Sequence, residues 1–437
     1  MDLGHMTRLL NFRNLVLLSP LLLLTVKHWT NVVVLVCFFA SLAFLRKGQG
    51  SPAHVHQNAG TSSHWRLSIC LALAGPFVAV AIGQILRGEL YAPNLDAPLR
   101  MLMCVPIFLA ACSGWLDREG RQSVPLAWAQ TILPLTLLWT IVDRPSLTAA
   151  WGSRATTYFV DPLSFGSLCL LFAQLSLLAL SLNWRRVGWP SRLLSMLGIL
   201  CGMYMSIRSG SRTGWLGLPV FLTIWYAFVL SPALGRKRAA LTVLVPSLVA
   251  LVLVAWSPSF QEHIALGLKE LTSYHWDAMN PDSSVGLRLS MYRMGVYYFA
   301  HAPLTGWGEH GWQAISNASE FTVFASQYCI HEAPMNGFHN EIITSSVRSG
   351  VWGLASATAF FAVPAIAAAS HLGRRHSETT RAIALVSLVF ITHLFMAALD
   401  TEVNNLVFLS AFNGLSLATL LGGMLYSASS SNAKDAV

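Results

Sequence analysis

The amino-acid sequence predicts an all-α membrane protein, and three observations carry that prediction. The chain of 437 residues is 54% hydrophobic, and its mean hydropathy is +0.55. Only 11% of its residues are charged, which is less than half the roughly 25% of ordinary soluble domains. Its apolar runs are also long enough, or nearly so, to cross a hydrocarbon layer of about 30 Å. The sequence therefore predicts a polytopic bundle of membrane-spanning helices.

The apolar runs predict about twelve such helices. Only Lys27, His28 and a few polar residues separate the first two predicted spans, and the second is short. The chain is thereby divided into the first nine spans at 1–256, one long outer loop at 257–349, and the last three spans at 350–437. The predicted spans cover residues 9–27, 31–45, 67–86, 101–116, 125–142, 163–182, 193–207, 215–230, 239–256, 350–370, 382–399 and 405–427.

Basic residues predict the orientation of the bundle. With both chain ends inside, the inner segments hold more than half of the Lys and Arg residues, including Arg236-Lys237-Arg238 and Arg374-Arg375. This asymmetry agrees with the positive-inside rule. The net charge of +9 is explained by these inner clusters and the anionic headgroups that they face, so nucleic-acid binding is not expected.

The outer loop is too long to be an idle connection. Arg288 and Tyr292 share one face of its second helical stretch. The predicted stretches, separated by Gly and Pro, are 261–276, 286–301 and 308–329. An apolar stripe at spacings of three and four runs along the second stretch: Leu287, Met291, Met294 and Tyr298.

The end of this loop, Gly337-Phe338-His339-Asn340-Glu341, places an imidazole where an apolar helix begins. The positive end of a helix disfavours imidazolium and keeps the ring neutral. A neutral imidazole can accept a proton from a hydroxyl near neutral pH, so His339 is predicted to be a general base. Three residues are predicted to bind substrate beside it: Tyr292, Asn336 and Asn340. The rival bases are His301, His310 and His331.

Four arginines that the topology places outside predict an anion site. Arg208 and Arg212 occupy a short connection between two apolar spans, where a charge usually faces a cavity or a partner rather than lipid. Arginine holds phosphate oxygens in a fixed fork, and the turn after Arg212 opens a helix N-terminus, which favours anions. Together with Arg154 and Arg288, this predicts a site for a diphosphate. The alternative for Arg154 and Arg208 is that they only reach the headgroups.

Five motifs follow one another along the chain: Asp96 to Arg100, Ser211-Arg212-Thr213-Gly214, Ser284 to Arg288, His301 to Gly308, and His339-Asn340 with Gly350 and Gly353. In this order they resemble the O-antigen ligase and polymerase superfamily. The resemblance covers most of the chain from about residue 95 to 370 and rests on the order and spacing of the motifs. Arg348 is a departure, because an acidic or neutral residue is expected before the glycine.

The resemblance implies a multispanning glycosyltransferase in the bacterial inner membrane, with its active site facing the periplasm. It would transfer a polysaccharide from undecaprenyl diphosphate to a sugar hydroxyl of the lipid A core, with inversion and without a metal or other cofactor. The acidic residues of the outer loop show no paired arrangement of the kind that metal-using transferases need. His339 would be the base, with Arg212 and Arg288 at the diphosphate. Further substrate-binding residues would be Arg100, Arg154 and Arg208.

Other functions share parts of this pattern. A polymerase that joins repeat units on the same lipid carrier, or a protein O-oligosaccharyl ligase, would share the donor chemistry. The single basic loop that ends in a histidine favours the ligase. A flippase or transporter for lipid-linked oligosaccharides is the alternative of another class, but transporters usually show two comparable halves, and this chain has one dominant loop.

Overall fold

The structure is a computed structural model of the chain, and helices are its only regular elements in the residues it describes. The predicted all-α class is therefore confirmed for this part of the chain. The described residues are 12–47, 61–116, 123–143, 154–255, 261, 265–266, 268–270, 272–280, 282–308, 320–404 and 406–435.

Ten of the helices in this part of the chain, α2 to α8 and α12 to α14, are long and apolar enough to cross a membrane. In chain order the helices are α1 Phe12–Leu18, α2 Trp29–Arg46, α3 Thr61–Arg87, α4 Asp96–Cys112, α5 Val124–Asp143, α6 Pro162–Asn183, α7 Trp189–Ser209, α8 Thr213–Leu234, α9 Arg236–Ala255, α10 Ser284–His301, α11 Gln327–Asn336, α12 Glu341–Ser370, α13 Glu378–Ala398 and α14 Val407–Asp435.

Two of the twelve predicted spans are not among these ten. The first, 9–27, is not one continuous helix, because α1 ends at Leu18 and residues 19–28 form turns. Pro20 accounts for this end, since proline lacks the backbone N–H of a helix interior and restricts the residue before it. The span predicted at 239–256 corresponds to α9, a helix of 20 residues. Its place in the membrane remains a prediction.

The bundle is built around α6 and α14. In each of them 89% of the apolar window is buried, against 28% in α7 and in α8. A helix that is apolar on all sides belongs inside a bundle, whereas a helix with exposed apolar residues can face lipid. Helix α14 packs along α4, α6 along α7, and α12 along α3.

The outer loop has a second, smaller hydrophobic core. Met291, Met294 and Tyr298 of α10 are buried there together with Phe321 and Phe338, which confirms the predicted apolar stripe. The stretch predicted at 308–329 falls partly on residues 309–319, outside the described part of the chain, and α11 begins only at its end. Because Phe338 belongs to this core, the segment that leads into α12 is fixed in place.

Helix α12 is broken where its predicted apolar segment, 350–370, begins. Ser349 (φ −132°) and Gly350 (φ +61°) depart from helical geometry. The loop after α10 fills the break: Val351 N donates to Pro303 O at 2.7 Å, and Trp307 N donates to Val347 O at 2.9 Å. Non-helical backbone is tolerated at membrane depth only where the protein satisfies its polar groups, and this loop does so.

Arg87, at the end of α3, completes the closure of the break. Its Nη1 donates to Thr305 O at 2.6 Å and to Arg348 O at 3.2 Å. One guanidinium therefore joins α3, the loop after α10 and the carbonyl that the break exposes. The motif from His301 to Gly308 is thereby explained as the element that holds the two parts of α12.

We expect Gly306→Ala to destabilise the protein more than Gly88→Ala. Gly306 has φ +63°, and a Cβ there would lie 2.5 Å from Arg348 O, whereas Gly88 has φ +67° and no atom within 4 Å of its Cβ position. Both variants carry the left-handed strain of roughly 1–2 kcal/mol, but only Gly306→Ala adds a clash with backbone. Thermal unfolding of the purified variants in detergent measures the difference, and equal losses would contradict the proposed fit of the loop.

Candidate active site

His339 lies directly before α12, as predicted. Asn340 caps this helix, since its Oδ1 accepts hydrogen bonds from Ile342 N at 3.0 Å and from Ile343 N at 3.1 Å. His339 itself has φ +51°, a left-handed conformation that costs a non-glycine residue roughly 1–2 kcal/mol. Strained residues of this kind cluster at functional sites.

A hydrogen-bonded chain holds the backbone on either side of His339. Phe338 N donates to Thr344 Oγ1 at 3.1 Å, and Thr344 Oγ1 donates to Glu402 Oε1 at 2.6 Å. Phe338 and Glu402 are both buried. The connection between α13 and α14 therefore fixes the segment that carries the imidazole.

Arg288, Asp400 and Thr213 form the centre of the site. Arg288 Nε lies 2.7 Å from Asp400 Oδ1 in an ion pair that is largely shielded from solvent. Thr213 Oγ1 donates to Asp400 Oδ2 at 2.6 Å. Asp400 thus connects α10 of the outer loop to the start of α8, directly after Arg212.

Tyr292 and Asn340 bring the histidine to the same place. The Tyr292 hydroxyl lies 2.6 Å from Leu399 O and 3.3 Å from His339 O. Asn340 Nδ2 donates to the same Leu399 carbonyl at 3.3 Å. Burial and the charge of Asp400 raise the pKa of the Tyr292 phenol, so this hydroxyl stays a neutral donor. Both predicted residues therefore help to place His339 beside Asp400.

Arg154 lies against the connection that carries Arg208 and Arg212. Its Nε donates to Ser209 O at 2.7 Å, and Ala155 N donates to Arg208 O at 2.9 Å. Burial lowers the pKa of Arg154, the Asp161 carboxylate opposes this, and the charge of Arg288 adds to it. Arg154 is therefore close enough to Arg288 and Asp161 to interact with both.

The structure places the other predicted arginines differently. The side chains of Arg208 and Arg212 are exposed at the connection between α7 and α8, next to the Thr213–Asp400 bond. Arg100 is engaged elsewhere, since its Nη2 lies 2.8 Å from Asp96 Oδ1 in an ion pair one helical turn apart on α4. Arg208 and Arg212 thus lie close in the chain to Thr213, which contacts Asp400. No contact in the described part of the chain joins Arg100 to this group.

The remaining predicted residues are the three rival histidines and Asn336. His301 is exposed and its ring lies tilted against Tyr297, with ring centroids 4.0 Å apart, and His331 is also exposed. His310 and the side chain of Asn336 lie outside the described residues. Among the residues that are described, no three histidine, cysteine or carboxylate side chains come together in a group that could hold a metal ion.

The electrostatic surroundings of His339 favour the neutral ring. Burial lowers the pKa of His339 and the charge of Arg288 lowers it further, while Asp400, Glu332 and Asp161 raise it. The sequence predicts the same direction from the helix N-terminus, and the structure adds burial as the largest cause. An imidazole with a lowered pKa remains an available base at more acidic pH.

Asp400 and Glu402 are the residues that the sequence analysis missed. They follow the predicted span 382–399 directly, as Asp400-Thr401-Glu402. The predicted topology places these two carboxylates on the same face of the membrane as four arginines: Arg154, Arg208, Arg212 and Arg288. Charges at a membrane boundary are usually paired, so the sequence does indicate ion-pair partners for these arginines.

The chain is similar in sequence to known proteins. Residues 197–358 match the family model described as O-Antigen ligase, which confirms the resemblance to the O-antigen ligase family over that segment. The segment contains Arg212, Arg288 and His339. An uncharacterized protein of Haemophilus influenzae is 22% identical over 313 residues, which cover 69% of this chain and 73% of that protein.

We expect the pKa of His339 to move in opposite directions in two variants. Arg288→Ala removes a positive charge that disfavours imidazolium, so the pKa should rise. Asp400→Asn removes a negative charge that favours imidazolium, so the pKa should fall. Titration of the histidine signals by NMR measures both shifts, with His339→Ala to identify the signal and Arg186→Ala as a distant control. Shifts of the same sign, or none, would contradict the geometry.

Proposed function

We propose that the protein is an O-antigen ligase, which transfers a polysaccharide from undecaprenyl diphosphate to a sugar hydroxyl of the lipid A core. One observation carries the proposal. The strained, partly buried His339 lies beside the Arg288–Asp400 ion pair, in a segment that matches the O-antigen ligase family. A base and a cationic group at the boundary of a helical membrane bundle suit an acceptor hydroxyl and a lipid-borne diphosphate donor.

The arginines account for the donor side of the reaction. A diphosphate leaving group gains negative charge as the glycosidic bond breaks, and fixed guanidinium groups stabilise that charge. Arg288 is held by Asp400, and Asp400 is held by Thr213. Asp400 is therefore a positioning residue, which aims Arg288, while Arg212 and Arg154 add positive charge around it.

His339 accounts for the acceptor side. The neutral imidazole takes the proton of the acceptor hydroxyl while the hydroxyl oxygen attacks the anomeric carbon. The bond from that carbon to the diphosphate oxygen breaks, and undecaprenyl diphosphate leaves with the electron pair. Direct displacement inverts the anomeric centre, and the imidazolium then releases its proton to water. Diphosphate needs little protonation to leave, so a single base and charge stabilisation suffice.

The proposed location is the bacterial inner membrane, with the site facing the periplasm and membrane lipids around the bundle. The positive-inside pattern supports this orientation. Segments predicted to share a face also contact each other. Arg186 pairs with Glu378 at 2.8 Å in segments predicted to lie inside, and Arg154 contacts Ser209 in segments predicted to lie outside.

Transfer by the purified protein in detergent tests the proposal. The donor is an undecaprenyl-diphosphate-linked glycan, and the acceptors offered in parallel are lipid A core, a second lipid-linked glycan and a protein. A ligase modifies lipid A core. Lengthening of the lipid-linked glycan would indicate a polymerase, and modification of the protein an O-oligosaccharyl ligase. Absence of any transfer would favour a flippase or transporter, because detergent removes the second compartment.

We expect Arg288→Ala to lower the rate of transfer by roughly 10²- to 10³-fold, the usual cost of losing one group that stabilises transition-state charge. Arg212→Ala should also weaken transfer. Lysine at either position should restore only part of the rate, because a point charge cannot reproduce the two-pronged contact. Arg186→Ala, which removes an exposed ion pair on the other face, is the matched control. Normal transfer by both alanine variants would reject the arginine site.

We expect His339→Ala to lose roughly two to four orders of magnitude in rate while still binding the donor, and His331→Ala to remain active. The wild-type rate should be highest where the imidazole is neutral and should fall as pH drops through a pKa below the ordinary value of about 6.5. Chelators should leave the rate unchanged. These rates are measured against pH with and without chelator. An active His339→Ala enzyme would remove the base, and a chelator-sensitive wild type would require a metal-assisted mechanism.

A further inference from the structure

The connection between α13 and α14 carries a second carboxylate, which the proposed reaction does not use. Glu402 follows Asp400 by two residues and is only 8% exposed. Burying a carboxylate is costly unless hydrogen bonds compensate for the lost water. Ionisable residues kept in such places at a membrane usually serve a function, so the contacts of Glu402 indicate what it does.

The connection that carries Glu402 is fastened to the first turn of α12 at three points. The three hydrogen bonds run from Asn340 Nδ2 to Leu399 O at 3.3 Å, from Thr344 Oγ1 to Glu402 Oε1 at 2.6 Å, and from Asn404 N to Glu341 Oε2 at 3.0 Å. The first and the last of them lie on either side of Glu402 in the chain. The backbone that carries this carboxylate is therefore held against α12 from both sides.

Glu402 also contacts the two residues directly before His339. Thr344 Oγ1, which donates to Glu402, accepts a hydrogen bond from Phe338 N at 3.1 Å. A Cβ at Gly337 would overlap Glu402 Oε1, so glycine is what allows the carboxylate to lie against this backbone. Gly337 has φ +74° and His339 has φ +51°, and Phe338 between them is fully buried. The direction in which the imidazole leaves the backbone is thereby fixed.

Glu402 and Asp400 act on His339 in different ways. The charges that shift the pKa of His339 are those of Arg288, Asp400, Glu332 and Asp161, after burial as the largest cause. Asp400 therefore acts through its charge and through its ion pair with Arg288. Glu402 instead reaches the histidine through Thr344 and the backbone of Phe338, which controls position.

We propose that Glu402 is a positioning residue for His339, which holds the imidazole in the geometry of proton transfer through Thr344 and the backbone before the ring. The inference rests on the proposed function, which makes His339 the base. The short connection between α13 and α14 then serves both halves of the reaction. Asp400 aims the arginine that faces the leaving group, and Glu402 aims the base.

Kinetics of transfer by the full-length protein in detergent test the role of this contact. We expect Thr344→Val to lower kcat by roughly 10²-fold, because a misplacement of about 1 Å can cost that much, and to leave the KM for the donor unchanged. Thr344→Ser keeps the hydroxyl and should restore the rate. Glu402→Gln keeps an acceptor oxygen and should be far more active than Glu402→Leu. Thr140→Val is the matched control, since Thr140 is equally buried but bonds only within α5, to Thr136 O.

Titration of His339 by NMR tests the same contact without any transfer. Burial is the largest cause of the lowered pKa of His339, and release of the segment exposes the ring. The pKa should therefore rise in Thr344→Val, although this substitution changes no charge, and the rate should begin to fall at a higher pH than in the wild type. Thr344→Ser and Thr140→Val should leave the pKa unchanged. A lower unfolding temperature with an unchanged pKa of His339 in Thr344→Val would overturn the positioning role.

The outcomes separate this role from the proposed function. A wild type that transfers nothing, together with a raised pKa of His339 in Thr344→Val, would support the positioning role and refute the function. Normal kcat in both Thr344→Val and Glu402→Leu would refute the role and leave the function standing. If Thr344→Val does not fold, Gly337→Ala tests the same contact, with the same expected changes in kcat and pKa. Its control is Gly88→Ala, which has a similar φ of +67° and no atom within 4 Å.

Discussion

The ion pair between Arg288 and Asp400 is the interaction on which the candidate site depends. It joins the outer helix α10 to the connection between α13 and α14, and through Thr213 it also holds the start of α8. These segments are far apart in the sequence, so no local helical preference could bring them together. The same carboxylate that orients Arg288 also offsets the effect of its charge on His339. The structure therefore couples the group proposed to bind diphosphate with the group proposed to accept the proton.

The start of α12 separates two chemical environments. On one side, His339 and Asp400 lie close to Arg288, the group proposed to bind an anion. In the first turns of the same helix, Glu341 and Arg348 line a small cavity between α3, α4, α12 and α14.

Much of the fold could be predicted from sequence, because hydropathy reports which segments enter lipid. The apolar stripe of α10 and the start of α12 after Asn340 were equally predictable, since both are set by local spacing and capping. The prediction of one continuous helix at 9–27 was wrong, because Pro20 ends the helix although the whole segment is apolar. Arg100 is predicted to bind substrate from the order of motifs, and this stays a prediction; in the structure it pairs with Asp96, four residues away. Asp400 was missed because its role arises only from contacts distant in sequence.

The break in α12 also determines how this helix can sit in the membrane. Thirty continuous residues at 1.5 Å per residue would measure about 45 Å, well beyond a hydrocarbon thickness of about 30 Å. The break leaves residues 351–370, about 30 Å of helix, to span it, and turns the preceding residues aside at the boundary. Residues 303–307, which satisfy the opened backbone, leave the ribosome before α12 does. The helix therefore meets its partner segment as it emerges during synthesis, whereas Asp400 arrives later and completes the site only when most of the bundle has been inserted.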